Sequence, residues 1–321
     1  MSKKIKVGII GLGNIGYKYD QNIKSKKYFY SHYKSFDFHK NYKIKFCFDT
    51  NKTNLKQIKK QTSIECFENI RDLEKINYVL DIVVLAIPTS QILKTFILIS
   101  KILSFRAILI EKPMAFNTVD ALKIKKICIK KKIKLFTNYN LISDISFEKI
   151  KYQIQKKMYG KLLKGNIYYT KGIYTNASHF LNLLIELFGN YNKILNINKI
   201  RKINEDFIGD FVVYFKNSKI YFHYLDEKNY SHYSMSLFFE KGLLTYSNST
   251  REIFWQNIKY NKFLNKYTYI NSKKENIPNN FNKIQLNVVN NLYLFFQNKK
   301  HYTAKPETAL KTIKCIENII K

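Results

Sequence analysis

The sequence predicts an α/β protein with a doubly wound parallel sheet in its N-terminal half and an α+β domain with an antiparallel sheet in its C-terminal half. As far as residue 137, short apolar segments alternate with helix-like segments, as in strands buried on both faces and joined by crossover helices. Beyond that point, strand-like segments follow one another through short turns, as antiparallel strands do. The stretch IKVGIIGLGNIG near the start has the form of a strand entering a nucleotide-binding turn.

The N-terminal part contains five predicted strands and three predicted helices. The strands are IKVGII (5–10), IKFCFD (44–49), YVLDIVVLAIP (78–88), RAILIEKP (106–113) and IKLFTNYN (133–140). The helices are TNLKQIKKQ (53–61), SQILKTFILISKIL (90–103) and TVDALKIKKICIKKK (118–132). Right-handed crossovers bring the carboxyl ends of all these strands to one edge of the sheet, which is where ligands bind in such folds.

The C-terminal part begins and ends with helices around a set of strands. Helices are expected at FEKIKYQIQKKMYGK (147–161), SHFLNLLIELFG (178–189) and PETALKTIKCIENIIK (306–321), and strands at LKGNIYYTKG (163–172), FVVYFKNSKIYFHYL (211–225) and YSMSLFFEKGLLTYS (233–247). No Pro- or Gly-rich linker separates the two parts, so the change of pattern alone divides the chain into domains 1–137 and 138–321. The closing helix is a candidate to pack back on the first domain.

The chain carries a large positive charge, with 56 basic and 23 acidic residues and a formal net charge of +33. Such an excess indicates a nucleic-acid surface in some proteins. The lysines are spread over nearly every segment, however, and arginine, the preferred residue for bidentate contacts to phosphates and bases, occurs at only four positions. We therefore favour solvated lysine surfaces in a chain shaped by AT-rich codon usage, and expect no specific nucleic-acid partner. A small anionic substrate is compatible with this charge.

The cysteines and the longest apolar segment bear on the compartment. The cysteines are Cys47, Cys66, Cys128 and Cys315. They lack the spacing of a zinc site or a disulfide framework, which predicts reduced thiols and a cytoplasmic location. The apolar segment 92–110 contains three basic residues, which argue against membrane insertion. The histidines other than His179, which is discussed below, show no metal-ligand spacing, and we expect no metal.

The glycine-rich turn predicts a dinucleotide site. Gly11 permits the tight turn, Gly13 lets the backbone approach a pyrophosphate, and Gly16 allows close packing of helix on strand. Asn14 and Ile15 complete the turn, whose amides and positive helix end would receive the phosphates.

Asp49 ends the second predicted strand, where a carboxylate can accept both hydroxyls of a ribose. An insertion around SKKYFYSHYKSFDFHK explains its long sequence distance from Gly11. A turn aspartate is the alternative interpretation. A carboxylate there repels a 2′-phosphate and favours NAD(H) over NADP(H), although Lys52 lies close by in the sequence.

Two more motifs fall at strand ends on the same sheet edge. AIPTS, with Pro88, Thr89 and Ser90, ends the third strand, and EKP, with Glu111 and Lys112, ends the fourth. A partly desolvated lysine has a lowered pKa and could exchange a proton with a substrate hydroxyl. The alternative is that Lys112 is one more surface lysine among many.

These motifs, in this order, resemble the Gfo/Idh/MocA family of glucose–fructose oxidoreductase and inositol dehydrogenase-like proteins. The order comprises GIIGLGNIG, Asp49, AIPTS, EKP, a YGK turn and a histidine-bearing helix, and the resemblance extends to the closing helix. It implies a Rossmann domain followed by an α+β domain with a large, mostly antiparallel sheet. It also implies a nicotinamide cofactor, a sugar, cyclitol or sugar-nucleotide substrate, and a homodimer or homotetramer formed through the exposed face of that sheet.

The resemblance carries individual residues with it. Lys112 matches the EKP lysine, which contacts cofactor and substrate and assists proton transfer, and His179 matches a histidine that acts as its acid–base partner. NYNLISD (138–144) provides a matching Tyr139 and Asn140 but lacks the arginine that often follows. On the residues alone, His179 could equally be a packing or capping residue at a helix start, with Ser178 or Asn176 as N-cap.

The chain departs from the family pattern around His179. Thr175 and Asn182 stand where the family usually has aspartates, and Ala177 replaces a glycine. A carboxylate would orient the imidazole and raise its basicity, so Thr175 and Asn176 are candidate substrate contacts without that effect. The sequence therefore predicts an NAD(P)-dependent oxidoreductase acting on a hydroxyl or ketone. A family member that binds ligands without catalysis is the first alternative, and a nucleic-acid binder is a remote one.

Overall fold

The computed structural model describes residues 4–247, 251–261, 263 and 267–321. The chain divides into a first unit, Met1–Ser143 with Asn282–Ile313, and a second unit, Asp144–Phe281 with Lys314–Lys321. This division ends the first unit's main segment after Ser143, a little beyond the 137/138 boundary expected from the pattern. It also assigns part of the C-terminal region to the first unit.

Eight α-helices lie within the described residues. They are α1 (His32–Phe38), α2 (Lys52–Gln61), α3 (Thr89–Ile102), α4 (Thr118–Lys130), α5 (Ile145–Gln155), α6 (Ser178–Phe188), α7 (Ile284–Phe296) and α8 (Pro306–Ile320). Local sequence explains several of their starts, because short polar side chains accept the otherwise unpaired amides of the first turn. Ser31, Asn51, Asn117 and Asp144 cap α1, α2, α4 and α5 in this way.

The first unit is built on a parallel sheet. Its strands are β1 (Ile5–Ile10), β2 (Tyr42–Phe48), β3 (Glu65–Phe67), β4 (Leu80–Leu85), β5 (Phe105–Ile110) and β6 (Lys134–Thr137). They lie in the order β3-β2-β1-β4-β5-β6, and every neighbouring pair is parallel. The order reverses direction at β1, so the crevice between the carboxyl ends of β1 and β4 is the expected ligand site. The predicted Rossmann sheet is confirmed.

The helix expected after the glycine loop is interrupted. The chain makes one turn, in which the Tyr17 amide donates to the Gly13 carbonyl at 2.9 Å, continues into a short 3₁₀ helix, Lys18–Asp20, and then leaves the helical path until α1 begins at His32. The His32 and Tyr33 amides donate to the carbonyls of Ile15 and Gly16, both at 2.9 Å. Helical bonding thus resumes on the glycine loop itself, and the inserted segment is looped out of the helix.

Asp20 closes this insertion at its base. Its carboxylate accepts the Tyr30 amide at 2.6 Å and the Ser31 amide at 3.1 Å. The insertion was expected around residues 25–40, but the looped-out part begins earlier in the chain, and His32–Phe38 within that range is helical. Local patterns missed α1 because it is short and follows a polar loop.

The second unit is built on a mostly antiparallel sheet. Its strands are β7 (Leu162–Tyr169), β8 (Lys193–Asn196), β9 (Arg201–Ile203), β10 (Asp206–Ile208), β11 (Phe211–Phe215), β12 (Ser218–Tyr224), β13 (Tyr233–Phe239), β14 (Gly242–Ser247), β15 (Glu252–Tyr260), β16 (Thr268–Ile270) and β17 (Glu275–Asn276). In the described part of the chain, nine of them form one sheet in the order β16-β15-β14-β13-β7-β12-β11-β8, with β17 beside β15. β7 and β12 pair in parallel, and β9 and β10 form a separate hairpin.

The large sheet buries one face and leaves the other more exposed. In β13, Met235, Leu237 and Phe239 are buried, while the residues between them are partly accessible. This period of two is the signature of a sheet with one packed face. The predicted C-terminal α+β domain is therefore confirmed. Among the helices of the described residues, none combines the length and apolarity required to span a membrane.

Candidate functional site

The glycine loop of the first unit is closed at two positions and open at one. Gly11 has a φ of +96°, and a Cβ on it would collide with the Ala86 carbonyl. A Cβ on Gly16 would collide with the Gly11 carbonyl, whereas a Cβ on Gly13 would meet nothing within 4 Å. Gly11 and Gly16 are therefore required by the chain's own packing, while Gly13 borders empty space. A cradle of this kind fits the close approach of a dinucleotide pyrophosphate.

The accessible part of the loop is the helical turn that follows. Asn14 is exposed and Ile15 is half-buried, and the Tyr19 amide donates to the Asn14 carbonyl at 3.0 Å. The turn begins directly after β1, so its first amides point toward the carboxyl edge of the sheet. The structure thus places the predicted residues Gly11, Gly13, Asn14, Ile15 and Gly16 in one loop at the carboxyl end of β1.

Asp49 is tied to this loop. Its Oδ2 accepts the Leu12 amide at 2.7 Å and the Asn54 side-chain amide at 3.2 Å, and its Oδ1 accepts the Asn51 amide at 2.7 Å. A carboxylate has about four acceptor positions, so these three donors leave one on Oδ1. Asp49 therefore combines the turn role of the alternative interpretation with remaining capacity to accept a ribose hydroxyl.

Lys52 is close to Asp49 in the sequence and so bears on the preference for NAD(H), but its side chain pairs with Glu68. Its Nζ lies 3.6 Å from the Glu68 carboxylate, and its side chain is 74% exposed. Such an exposed pair contributes little to stability, but it partly offsets the lysine charge beside Asp49.

The AIPTS and EKP motifs meet at the same sheet edge. Thr89 and Ser90 are the first residues of α3 and not strand residues, with Pro88 in the N-cap position. The Thr89 hydroxyl donates to the Pro113 carbonyl at 3.2 Å. Pro88 and Ser90 are exposed beside this contact. The two predicted cofactor-binding segments are therefore joined side by side.

Glu111 is held in a buried polar network that sequence reasoning missed. Its Oε1 lies 2.6 Å from His32 Nε2 and accepts the Asn138 side-chain amide, also at 2.6 Å. The same amide donates to Gln285 Oε1 at 3.1 Å. The His32 side chain is fully buried and that of Glu111 is 13% exposed. The network links α1, the ends of β5 and β6, and α7, and no local pattern signals it because its members are far apart in the chain.

Lys112 follows directly and is half-buried. On one side, its backbone is fixed by the Glu111 amide, which donates to the Leu85 carbonyl at 3.0 Å. On the other, the Lys112–Pro113 peptide bond is cis and precedes the Thr89 contact. Tyr139 and Asn140 follow β6, the neighbour of β5 in the sheet. Tyr139 is buried and Asn140 is half-buried. Of these two, Asn140 is the more accessible.

In the second unit, Thr175, Asn176 and His179 lie on one helical segment. Residues Ile173–Ala177 form a π-helical turn that runs directly into α6, and π-turns are frequent at functional sites. Thr175 is exposed, and Asn176 and His179 are half-buried. The Asn176 side-chain amide donates to the Thr170 hydroxyl at 3.4 Å.

Neither Ser178 nor Asn176 is the N-cap residue of α6. The N-cap residue is Ala177, without a side-chain bond. Ser178 Oγ donates back to the Tyr174 carbonyl at 2.6 Å, because the π-turn extends the helix past the predicted start. The capping interpretation that named Ser178 or Asn176 is therefore wrong.

A carboxylate from elsewhere reaches this turn. Asp206, at the start of β10, accepts the amides of Tyr174 and Thr175 at 2.8 and 2.9 Å, and the Thr175 hydroxyl at 2.7 Å. Sequence reasoning missed Asp206, since nothing near it in the chain resembles a site. Within the described ranges, no three His, Cys, Asp or Glu side chains come together as a metal-binding group.

Comparisons with known proteins agree with this geometry. Residues 5–139 match the model of the Gfo/Idh/MocA family, described as an oxidoreductase family with an NAD-binding Rossmann fold. A search of curated proteins found no significant match.

Solved structures with the same fold cover nearly the whole chain. The WlbA dehydrogenase of Bordetella pertussis, in complex with NADH and UDP-GlcNAcA, is 17% identical, with a TM-score of 0.76 over 99% of this chain and 95% of its own. An oxidoreductase of Agrobacterium radiobacter, in complex with NAD⁺, L-tartaric acid and magnesium, is 12% identical, with a TM-score of 0.71 over 99% and 96%. A protein of Desulfitobacterium hafniense described as an NADPH-dependent oxidoreductase is 13% identical, with a TM-score of 0.79 over 100% and 95%. At these identities the likeness establishes the fold.

Proposed function

Because residues 5–139 of this chain belong to the Gfo/Idh/MocA family of NAD-binding oxidoreductases, we propose that the protein interconverts a hydroxyl and a ketone on a sugar, cyclitol or sugar-nucleotide substrate, using NAD(H). The observation that carries the proposal is the glycine loop, closed at Gly11 and Gly16 and open at Gly13. At Gly13 the backbone is therefore open to the close approach of a pyrophosphate. Asp49 and the EKP segment lie at the same sheet edge as the loop.

The residues of the first unit have separable roles in this proposal. The turn Gly13–Gly16 receives the pyrophosphate through backbone amides, and Asp49 accepts a ribose hydroxyl. Glu111 and the Thr89–Pro113 contact fix the backbone on both sides of Lys112. The bound nicotinamide supplies the hydride chemistry.

Lys112 is the residue that we propose to handle the substrate proton. Its ammonium group can donate a hydrogen bond to the reacting oxygen, and a half-buried lysine loses part of the hydration that favours its charged form. In the oxidising direction, it would polarise the alcohol and take part in its deprotonation. His179 of the second unit is proposed as a further acid–base group.

NAD(H) is favoured over NADP(H) by the charge beside the ribose position. Asp49 repels a 2′-phosphate, and the adjacent Lys52 is paired with Glu68. The WlbA structure with NADH and the oxidoreductase with NAD⁺ agree with this preference, while the D. hafniense protein is described as NADPH-dependent.

The substrate class follows from the family and from charge. WlbA binds UDP-GlcNAcA, an anionic sugar nucleotide, and the strong positive charge of this chain suits an anionic substrate. We further propose a cytoplasmic homodimer or homotetramer formed through the open face of the large sheet. Tyr168 is 42% exposed there and stacks on His223 with ring centroids 5.1 Å apart.

The test is turnover of a defined panel with both cofactors. Purified protein is mixed with NAD⁺ or NADP⁺ and with myo-inositol, D-glucose, UDP-glucose or UDP-glucuronate, and reduced nicotinamide is followed by absorbance. The proposal predicts turnover of at least one member with NAD⁺, and slower turnover with NADP⁺. Binding of NAD(H) without turnover of any sugar or sugar nucleotide would favour the non-catalytic alternative, and binding of neither cofactor would refute the proposal.

A further inference from the structure

The turn that carries Thr175, Asn176 and His179 is held by a carboxylate that comes from a separate hairpin. Asp206 accepts two amides of the turn, those of Tyr174 and Thr175, and also the Thr175 hydroxyl. First-turn amides of a helix have no intrahelical partner, and a negative charge at this end is favoured by the helix dipole. Asp206 therefore caps the turn and α6 from outside the helix.

Two further contacts hold the hairpin, one to the end of β7 and one to the turn. The Tyr169 hydroxyl donates to the Gly209 carbonyl at 2.6 Å, and the rings of Tyr174 and Phe207 lie 6.2 Å apart. The second strand of the hairpin is thus held at Asp206 itself, at Phe207 and at Gly209, which directly follows β10.

Gly172 shows independently that the approach of Asp206 is built into the fold. Its backbone is extended, with φ −178°, a conformation open to any residue. Its missing side chain nevertheless matters, because a Cβ there would collide with the Asp206 carboxylate. Glycine at 172 is therefore explained by the carboxylate that lies against it.

The Asp206 carboxylate binds Thr175, which lies on the same side of the helical segment as His179. Thr175 and His179 are four residues apart on a continuous helical segment, and residues at this spacing lie on the same side of a helix. The residue at 175 is a threonine whose hydroxyl hydrogen is committed to Asp206 Oδ2. Toward a ligand, the Thr175 oxygen can then act only as a hydrogen-bond acceptor.

We propose that Asp206 is a positioning residue for the substrate: it holds the turn that carries Asn176 and His179, and it orients the exposed Thr175 hydroxyl to accept a hydrogen bond from a substrate hydroxyl. The inference rests on the proposed function for its substrate, a polyhydroxylated molecule whose hydroxyls can donate. The holding of the turn depends on the contacts within the second unit alone.

The first arm of the test needs no substrate. Hydrogen exchange of the peptide spanning residues 172–178 is compared in the full-length wild type, D206N and D210N. Asp210 is the matched control, because it accepts the Tyr224 amide at 2.7 Å and an Asn198 side-chain amide at 2.9 Å, away from the turn. We expect faster exchange of this peptide in D206N and an unchanged rate in D210N. Gly172→Ala should reproduce the D206N result if D206N folds poorly, and unchanged exchange in both variants would overturn the proposal.

The second arm separates positioning from folding. With the panel member turned over fastest, kcat and KM are measured for T175S, T175V, D206N, the control D210N and the double variant D206N/T175V. We expect T175S to stay close to wild type, and T175V and D206N each to lower kcat/KM about 10–100-fold, mainly through a higher KM. The kcat/KM of the double variant should be no lower than that of the more impaired single variant. The reason is that T175V removes the hydroxyl and D206N removes its orientation, so both changes abolish the same interaction.

The two arms also distinguish the inference from the function beneath it. Additive losses in the double variant, or an equal loss in D210N, would show that Asp206 does not act through Thr175. If wild type turns over no panel member, the proposed function fails, while the exchange result still decides whether Asp206 holds the turn. NADH affinity should be unchanged in all of these variants.

Discussion

At the scale of single residues, the main proposal is that Lys112 handles the substrate proton. Its backbone is held from both sides, by Glu111 within the buried network and by Pro113, whose carbonyl accepts the Thr89 hydroxyl. A lysine fixed in this way presents its ammonium group from a defined position, unlike the many lysines on exposed helix faces. The distinction between a site lysine and one more surface lysine is therefore experimentally accessible.

Lys112→Gln should lower kcat by about 10²–10⁴-fold, the usual contribution of a general acid or base. NADH affinity should change much less, because the phosphate cradle is untouched. Lys101→Gln, an exposed lysine in the last turn of α3, is the matched control and should behave as wild type. Steady-state kinetics and a fluorescence titration with NADH measure the two quantities, and a K112Q enzyme with normal kcat would remove Lys112 from the mechanism.

The buried pair of His32 and Glu111 should contribute to stability. His32→Leu removes a partner of the Glu111 carboxylate, and an under-bonded buried polar group costs about 1–3 kcal/mol. The free energy of unfolding from urea titration should fall by that amount. His39→Leu, at the other end of α1, is the control: His39 is half-buried, burial lowers its pKa, and its ring packs against Tyr42 and Tyr293 rather than on a carboxylate of the described residues. Equal losses in the two variants would mean that the pair adds nothing beyond ordinary packing.

At the scale of elements, the glycine loop separates packing from binding. A methyl group on Gly16 would press on the Gly11 carbonyl, whereas one on Gly13 would enter open space. The loop therefore offers a matched pair of identical substitutions whose effects should differ in kind.

Gly16→Ala should lower the free energy of unfolding by about 1–3 kcal/mol, as overpacking does. Gly13→Ala should leave stability unchanged and weaken NADH binding by about tenfold or more, the result of losing a charge-assisted hydrogen bond to phosphate. Urea titration and calorimetric titration give both numbers for each variant. A destabilised G13A, or a G13A with wild-type affinity, would contradict the cradle.

Regular elements were predictable from the sequence because their signals are local. The apolar runs of β1, β4 and β5 and the periodicity of α3 and α4 placed these elements within a few residues of their observed bounds. β3 was missed because three residues carry too little pattern. α7 was missed as well, although its first-unit contacts, such as the Tyr42 hydroxyl bond to the Val289 carbonyl at 3.2 Å, explain why it returns to that unit.

Motifs in the sequence predict the candidate site residues, but they do not predict the side chains that contact them. The spacing of Gly11 and Gly13 and the position of Asp49 directly after β2 are local signals, so the sequence alone predicts these residues as part of a site. His32 contacts Glu111 across 79 positions, and Asp206 contacts Thr175 across 31. Nothing in a single sequence ranks such pairs above the other histidines and aspartates, because only the fold brings them together.

At the scale of the whole molecule, the cysteines give a simple test of burial. Burial raises the pKa of Cys128 to about 12 and raises the pKa of Cys47, Cys66 and Cys315 above the usual value. Three of these thiols are buried and Cys66 is partly exposed. Since the thiolate is the reactive form, the native protein at pH 8 should react with a thiol reagent slowly at Cys66 and hardly elsewhere. Unfolding in guanidinium should expose all four, and rapid labelling of a second thiol in the native state would contradict the described core.

The central claim is that the first unit binds a nicotinamide dinucleotide in the glycine cradle, and calorimetric titration of the whole chain with NADH tests it most directly. Binding of one NADH per chain is predicted, with an affinity reduced in G13A and weaker binding of NADPH. A saturating excess of about 100 Kd should stabilise the fold by about 2.7 kcal/mol. A folded protein that binds neither NADH nor NADPH, or a G13A variant that binds NADH as wild type does, would contradict it.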